Sequence, residues 1–222
     1  MDKEYRNNFI KDCKSRGVVF IDETSVFFDE KVKIGDNATI YPNNHIYGDT
    51  VIGNGAVINP NNIITDSVIG EGAVITASVI EKSTVGKNVS MGPNAHLRPN
   101  SVIGDNCHIG NFVEIKNAVL KKGTKVAHLT YVGDAEVGEN CNIGCGSIFV
   151  NYNGKIKQKS VVGDRCFIGS NCNIIAPVTI GDDAFIAAGT TVTKSVEKES
   201  FIIGRVRQEE NRFLAKKYIK KD

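Results

Sequence analysis

An apolar residue returns every five or six positions along most of this chain, and this spacing limits the possible folds more than any other sequence feature. The series runs from Ile34 to Val192 and contains one longer step, between Phe149 and Val162. An amphipathic helix requires a period of about 3.6 residues, and a half-buried strand requires a period of about 2. Each unit of about six residues therefore predicts one short strand followed by one turn.

Two further positions of the six-residue unit indicate a narrow, stacked core. The second position is often Gly, which we expect to ease a tight corner. The fifth position is small, and four of the six cysteines occupy it: Cys107, Cys141, Cys166 and Cys172. Three units close one triangular coil, and stacked coils form a parallel β-helix, so the predicted fold is all-β. Because the fifth position points inward, we expect these thiols to fill the core. The sequence contains no CxxC pair, so we expect no structural zinc site.

The segments outside the repeat divide the chain into three parts. Residues 1–17 predict a short helix, with Gly17 as its C-terminal stop. Residues 18–204 predict the β-helix, interrupted by a loop at 150–161, where NYNG indicates a defined turn. Residues 205–222 contain seven basic and three acidic residues and predict a basic C-terminal helix or tail.

Composition and charge exclude several classes of protein. The 222 residues include 27 basic and 25 acidic side chains, a net charge of +2, so bulk charge predicts no nucleic-acid partner. No apolar run approaches the ~20 residues of a membrane span, and the charged start has no signal-peptide core. Six cysteines without a secretion signal indicate reduced thiols. We therefore expect a cytoplasmic protein that does not associate with membranes.

Stacking of the coils places candidate functional residues in columns, because residues one coil apart lie about 4.8 Å apart on the same face. The unit that begins at Val126 has His128 at its outward third position. In the next three coils the same position holds a small residue: Cys145, Ser170 and Ala188. This column predicts a shallow groove that ends at the imidazole of His128.

A second group of columns holds charged and aromatic residues. Arg98 and Lys116 occupy equivalent positions in neighbouring coils. Two such cations predict a phosphate clamp, because Arg offers a rigid donor fork and Lys a point charge. Glu114 and Tyr131 also occupy equivalent positions in neighbouring coils, at the adjacent corner. Each feature alone is also typical of a solvated surface, and only the convergence of the columns favours a binding site.

The histidines do not indicate a metal site. Some hexapeptide-repeat proteins are zinc-dependent carbonic anhydrases that use three clustered histidines. The four histidines here are scattered, and no H-x4-H pair is present: His45, His96, His108 and His128. We therefore expect chemistry that requires no metal.

Four motifs together are specific to one family: LRP from Leu97, NFVEIK, HLTYVGD and NYNG. They resemble the acetyltransferase half of the bifunctional bacterial N-acetylglucosamine-1-phosphate uridyltransferase/glucosamine-1-phosphate N-acetyltransferases. The similarity extends from Leu97 to Arg205 and, more loosely, back to residues 17–22. The resemblance implies a left-handed parallel β-helix and a homotrimer with active sites between subunits, whereas the short N- and C-terminal helices are predicted from the residues themselves.

The resemblance also implies a role for each matching residue. His128 matches the general base of the family, and we expect Glu114 to orient its imidazole. The sugar-phosphate contacts match four residues: Arg98, Lys116, Tyr131 and Asn142. The acetyl-CoA contacts match six residues: Cys145, Asn151, Tyr152, Ser170, Ala188 and Arg205. The family usually has Ala where this chain has Cys145.

The expected reaction transfers the acetyl group of acetyl-CoA to the amine of glucosamine-1-phosphate, a step towards UDP-N-acetylglucosamine. A backbone N–H near Cys145 or the Tyr131 hydroxyl would stabilise the oxyanion that forms when the amine attacks the thioester. Uridylyl transfer is not expected, because no GxGxxG or P-loop run is present. Two alternatives stay open. The first is an acetyltransferase that acts on another amino sugar or on a nucleotide sugar. The second is a non-catalytic β-helix scaffold.

Overall fold

The computed structural model describes residues 3–212 and 214–218. Within them the chain winds into a left-handed parallel β-helix whose three faces are sheets of 11, 10 and 9 strands. Each strand pairs in parallel with the equivalent strand of the next coil, as Val126 does with Ile143. The fold class predicted from the six-residue repeat is confirmed.

The strands are two to four residues long and follow one another around the three faces. The first sheet contains Val19–Phe20, Thr39–Ile40, Val57–Ile58, Val74–Ile75, Ser90–Met91, His108–Asn111, Lys125–His128, Asn142–Ile143, Phe167–Ile168, Phe185–Ile186 and Phe201–Ile202. The second sheet contains Phe27–Phe28, His45–Tyr47, Ile63–Thr65, Val79–Glu81, His96–Leu97, Glu114–Lys116, Tyr131–Gly133, Ile148–Val150, Asn173–Ile175 and Thr191–Val192. The third sheet contains Lys33–Ile34, Val51–Ile52, Val68–Ile69, Thr84–Val85, Val102–Ile103, Val119–Leu120, Ala135–Val137, Ser160–Val162 and Thr179–Ile180.

The residues of the apolar series point inward and form the core. Ile40, Ile58 and Ile109 are completely buried, and the four fifth-position cysteines are buried beside such residues. Burial of one large aliphatic side chain contributes about 1.5–3 kcal/mol, and the contribution is repeated in every coil. The stacked core thus holds the strands in one register, and that register determines which outward side chains are neighbours.

The corners of the coils depend on the fourth position of the six-residue unit. Asn37, Asn106 and Asn140 occupy this position with φ values of 58°, 58° and 54°. Most L-residues are strained in this left-handed conformation, and Asn tolerates it better than other residues that carry a Cβ. The frequent Asn at this position was the sequence signal for the corner.

The second-position glycines have a different role from the one predicted. Apart from Gly92, they do not adopt a positive φ. A Cβ on Gly144 would lie 2.6 Å from the carbonyl carbon of Gly169 in the next coil. These glycines therefore allow neighbouring coils to approach closely, and the left-handed corner belongs to the fourth position.

The N-terminal segment forms one α-helix, Lys3–Ser15, which buries Ile10 and Cys13. Gly17 follows with a φ of 80°, and its N–H donates to the carbonyl of Lys14 at 3.1 Å. A 3₁₀ helix, Glu23–Ser25, leads into the first coils. None of the described helices has the length and apolar character needed to span a lipid bilayer.

The sequence predicts a basic helix or tail over residues 205–222. The described part of this segment is irregular, apart from one short 3₁₀ helix, Leu214–Lys217. Val206 is 94% exposed, so this segment has no apolar face packed against the β-helix at that point. A helix without such packing gains little stability from propensity alone. Residues 213 and 219–222 lie outside the described residues.

The loop after the strand Ile148–Val150 is a compact hairpin. Tyr152 and Lys157 form an antiparallel bridge. The side-chain oxygen of Asn153 accepts hydrogen bonds from the backbone N–H groups of Lys155 and Ile156, at 3.0 and 2.9 Å. The chain rejoins the third sheet at Ser160. This hairpin is the defined turn that the NYNG motif predicts.

Candidate functional site

His128 ends a strand of the first sheet, and its side chain is exposed. Its Nδ1 atom lies 2.7 Å from the Oδ1 atom of Asn111, the residue directly paired with it one coil below. Among the described residues, its Nε2 atom has no hydrogen-bond partner. The imidazole therefore presents one nitrogen to solvent, while the other is held by an amide.

The predicted groove continues upward from this histidine. The parallel register aligns Val126 with Ile143, and then with Ile168 and Ile186, so the third positions of these units form one column. Along the column lie Cys145, Ser170 and Ala188, and the guanidinium of Arg205 donates to the carbonyl oxygen of Ala188. Four of the six residues assigned to acetyl-CoA thus share one edge of the β-helix. The Cys145 thiol is free and half-buried.

Glu114 does not contact the imidazole as we expected. It lies on the second sheet, and its carboxylate accepts a hydrogen bond from Arg98 at 3.0 Å. This pairing raises the pKa of Arg98 above its ordinary value. The expected contact is made by Asn111 instead, because Asn111 ends its strand in direct register with His128. The catalytic role assigned to Glu114 stays a prediction.

Lys116 has a cationic neighbour that sequence reasoning did not include in the site. The ammonium group of Lys157, on the hairpin loop, lies beside Lys116 and lowers the pKa of Lys116, and partial desolvation adds to this effect. Two neighbouring ammonium groups repel each other, and a bound anion would offset this repulsion. The signal for Lys157 was its position in a short loop with alternating lysines, which also fits a solvated surface.

Asp134 connects the start of the hairpin loop to the neighbouring coil. Its carboxylate accepts hydrogen bonds from the side-chain amides of Asn151 and Asn117, the second at 2.6 Å. The same Asn151 nitrogen lies 3.4 Å from the hydroxyl of Tyr131. Asn151 is 9% exposed, so its amide is held in one orientation. A cavity of about 370 Å³ lies next to this network and is partly lined by Asp134 and Lys157.

The remaining predicted residues lie apart from these networks. Asn142 sits on the first sheet between Lys125 and Phe167 in neighbouring coils. Tyr152 is 55% exposed on the hairpin loop, and its hydroxyl donates to the carbonyl of Gly154 at 2.7 Å. Within one chain, the imidazole and groove therefore occupy one edge of the second sheet, and the lysine pair with Asn151 occupies the other.

Two family models match the repeat region. The bacterial transferase hexapeptide (six repeats) model matches residues 31–66 and 159–194. The GMPPB C-terminal domain model matches residues 80–148. A solved structure, the Arabidopsis UDP-N-acetylglucosamine acyltransferase, is 18% identical with a TM-score of 0.47; it covers 80% of this chain and 69% of that one. This last likeness is too distant to support an argument about function.

Curated relatives align with nearly the whole chain. The bifunctional protein GlmU of Clostridium kluyveri is 44% identical over 221 residues, which cover 99% of this chain and 48% of the relative. The bifunctional protein GlmU of Staphylococcus haemolyticus is 50% identical over 192 residues, which cover 86% of this chain and 43% of the relative. The chain thus spans about half the length of the curated relatives it matches. Two segments of the chain match the hexapeptide repeat model, and the alignments show that the chain is a homologue of one half of the bifunctional GlmU proteins.

Proposed function

We propose that this protein transfers the acetyl group of acetyl-CoA to the amine of glucosamine-1-phosphate, producing N-acetylglucosamine-1-phosphate and CoA. The observation that carries the proposal is the combination of an exposed imidazole below a groove of small residues with a lysine pair on the same β-helix. The relatives named GlmU support the choice of an amino-sugar phosphate over other acceptors.

In the proposed mechanism, the Nε2 atom of His128 accepts a proton from the ammonium group of the sugar. The amine must be neutral before it can attack the thioester carbon, and the lone pair on Nε2 of a neutral imidazole can accept its proton. The neutral amine attacks the thioester carbon, which forms the N–C bond and places an electron pair on the carbonyl oxygen as an oxyanion. When the oxyanion collapses, the C–S bond breaks, its electron pair leaves with the sulfur of CoA, and the extra proton on nitrogen passes to that sulfur. A positioned general base contributes about 10²–10⁴-fold to such a step. A backbone N–H near Cys145, or the Tyr131 hydroxyl, steadies the oxyanion.

The phosphate of the acceptor binds between Lys116 and Lys157 in this proposal. Both ammonium groups gain from a bound anion, because it offsets their mutual repulsion. Arg98 contributes less to phosphate binding, since Glu114 already neutralises much of its charge. Tyr131 and Asn142 complete the sugar site.

Acetyl-CoA lies along the column above His128 in this proposal. Ser170 and Ala188 leave room for an extended pantetheine chain, and Arg205 provides a cation at the far end for the phosphates of CoA. Asn151 and Tyr152 contribute from the loop. The small outward side chains are what a narrow cofactor arm requires at this edge.

A homotrimer would complete the site in this proposal. The imidazole and the lysine pair lie at opposite edges of the second sheet, so a neighbouring subunit is needed to bring all the assigned residues around one ligand. Three phenyl rings of the first sheet stack on its outer surface, with centroids 4.6 and 5.4 Å apart: Phe167, Phe185 and Phe201. Each ring is at least 40% exposed, which favours burial between subunits.

The free state of all six cysteines favours a reducing compartment such as the cytoplasm.

The direct test is release of the CoA thiol, measured with glucosamine-1-phosphate and, in parallel, with glucosamine. The proposal expects turnover with the phosphorylated sugar and a KM at least tenfold higher without the phosphate. Equal turnover with both sugars would remove the phosphate clamp from the proposal. Turnover only with a nucleotide-linked amino sugar would identify a different acceptor. The absence of turnover with every amino sugar would support the scaffold alternative.

A further inference from the structure

Asn111 has no role in the site assigned from sequence, yet it is the closest polar neighbour of the imidazole. Its Oδ1 atom lies 2.7 Å from the Nδ1 atom of His128. An amide oxygen only accepts hydrogen bonds, so with the Asn111 oxygen facing the ring, Nδ1 is the donor and carries the proton. The neutral ring then has its lone pair on Nε2, which faces solvent. This is the tautomer that a base accepting a proton from outside requires.

The backbone holds both side chains in this arrangement. Asn111 and His128 end neighbouring strands of the first sheet as directly paired residues. The N–H of Leu129 donates to the carbonyl of Asn111 at 3.1 Å, immediately beside the pair. A Cβ on Gly110 would lie 1.8 Å from the carbonyl oxygen of Ala127, so the two strands approach closely here. The contact is therefore set by the register of the rigid β-helix.

The other charged or titratable groups around His128 have partners of their own or lie further along the columns. Glu114, around the corner, is paired with Arg98. On the strand below, His108 contacts the hydroxyl of Ser90 at 2.6 Å. Three groups complete the surroundings: Lys125 on the same strand, Cys145 one coil above and Tyr131 on the next strand. Among the described residues, Asn111 is thus the hydrogen-bond partner of the ring.

We propose that Asn111 is a positioning residue that holds His128 in the Nδ1–H tautomer and aims its Nε2 atom at the substrate amine. The catalytic part of this inference rests on the proposed function. A neutral amide suits this role, because it orients the ring without stabilising the charged imidazolium. A carboxylate in the same place would retain the hydrogen bond and would also favour the protonated ring, which cannot act as a base.

The tautomer can be measured without any activity. Long-range proton–nitrogen NMR spectra of histidine-labelled protein report which ring nitrogen carries the proton, and the His128 signals are identified by their loss in His128→Ala. The inference expects Nδ1–H in the wild-type protein, above the pH at which the ring becomes neutral. It expects a shift towards Nε2–H in Asn111→Leu, which has nearly the same size but no acceptor. A wild-type protein with Nε2–H would overturn the inference.

Kinetics test the catalytic part. Asn111→Leu should lower kcat about tenfold and leave the KM of both substrates within about twofold, as the loss of one orienting hydrogen bond predicts. Asn111→Asp should restore kcat at alkaline pH and move the acidic limb of the kcat profile to higher pH. A purely structural role would leave that limb in place, and an unmoved limb in Asn111→Asp would contradict the inference.

The matched control is Asn59→Leu. Asn59 follows another strand of the first sheet, and its side-chain amide donates to the hydroxyl of Thr76 in the neighbouring coil at 2.9 Å. Its loss removes a similar cross-coil hydrogen bond far from His128 and should leave kcat unchanged. Equal losses in Asn59→Leu and Asn111→Leu would assign the effect to stability of the β-helix. An inactive wild-type protein would refute the proposed function, while the NMR result would still decide the tautomer.

Discussion

The guanidinium of Arg98 lies 3.0 Å from the carboxylate of Glu114, whereas Lys116 has no carboxylate within 4 Å among the described residues. The two cations of the predicted phosphate clamp are therefore not equivalent. The second is instead accompanied by another cation, Lys157, which the loop supplies. Anion binding should depend mainly on the lysine pair, because neither ammonium group forms an ion pair within residues 3–212 and 214–218, and Asp134, which acts on Lys116, is hydrogen-bonded to Asn117 and Asn151.

This inequality predicts different effects of two substitutions. Lys116→Ala should raise the KM for glucosamine-1-phosphate by about tenfold or more, as the loss of a charged hydrogen bond implies. Arg98→Ala should raise it less, since the charge it removes is already paired. Neither substitution should change the KM for acetyl-CoA. Initial rates with each substrate varied in turn provide the measurement, and a larger effect of Arg98→Ala would contradict the inequality.

The pH dependence of anion binding should follow the lowered pKa of Lys116. The ammonium form attracts the phosphate, so affinity is retained below this pKa and declines as pH rises through it. The Kd of N-acetylglucosamine-1-phosphate, measured by calorimetry, avoids titration of the substrate amine. Lys157→Met removes the neighbouring charge, so the pKa of Lys116 rises and the decline moves to higher pH.

The control for this experiment is Lys155→Met, which changes a lysine two residues away in the same loop. Lys155→Met should weaken the binding of N-acetylglucosamine-1-phosphate only slightly. The affinity should decline at the same alkaline pH as in the wild-type protein. If both variants moved the decline equally, the effect would come from the overall charge of the loop and not from contact with Lys116.

His128→Ala should lower kcat by about 10²-fold or more, because the general base is lost. The side chain is exposed and carries no core packing, so the melting temperature should change little. Circular dichroism and the thiol-release assay together check this expectation. A well-folded variant with nearly normal turnover would exclude His128 as the base.

Cys145 lies one coil above His128, at a position where the sequence resemblance implies Ala. Direct attack by the amine needs no thiol, so Cys145→Ala should retain activity. Since the thiol is half-buried in the proposed groove, an alkylating reagent should label it and saturating CoA should block the labelling. Mass spectrometry of the labelled peptide measures both effects. Labelling unaffected by CoA would place the groove elsewhere, and an inactive Cys145→Ala would indicate covalent catalysis.

The corner residue Asn106 provides a test of stability that is separate from the site. Its φ is 58°, and it is exposed. Asn106→Ala should destabilise the protein by about 1 kcal/mol, because Ala is strained in the left-handed conformation. Asn106→Gly should be close to neutral, since Gly adopts this conformation without a Cβ penalty. Chemical denaturation measures the difference. Equal losses in both variants would show that the Asn side chain, and not the backbone conformation, stabilises the corner.

The sequence by itself determined the repeat, the three-sided cross-section and the register of the columns. One inward apolar residue in every unit is enough to define a strand, and a shift of one residue would expose the whole core. The column of His128, Cys145, Ser170 and Ala188 could therefore be predicted from counting alone, as could the pairing of Glu114 with Tyr131.

Only the tertiary structure decided which outward side chains touch. Glu114 contacts Arg98 and not His128, because side-chain contacts depend on direction as well as on column. Lys157 reaches Lys116 because the hairpin returns along the corner between the second and third sheets, beside Asn117, and no periodicity describes such a loop. The described part of the C-terminal segment is irregular apart from the 3₁₀ helix Leu214–Lys217 for a related reason, since Val206 is exposed and packs against no apolar surface. Repetition specifies positions along the β-helix, but contacts between unlike segments arise only once the chain is folded.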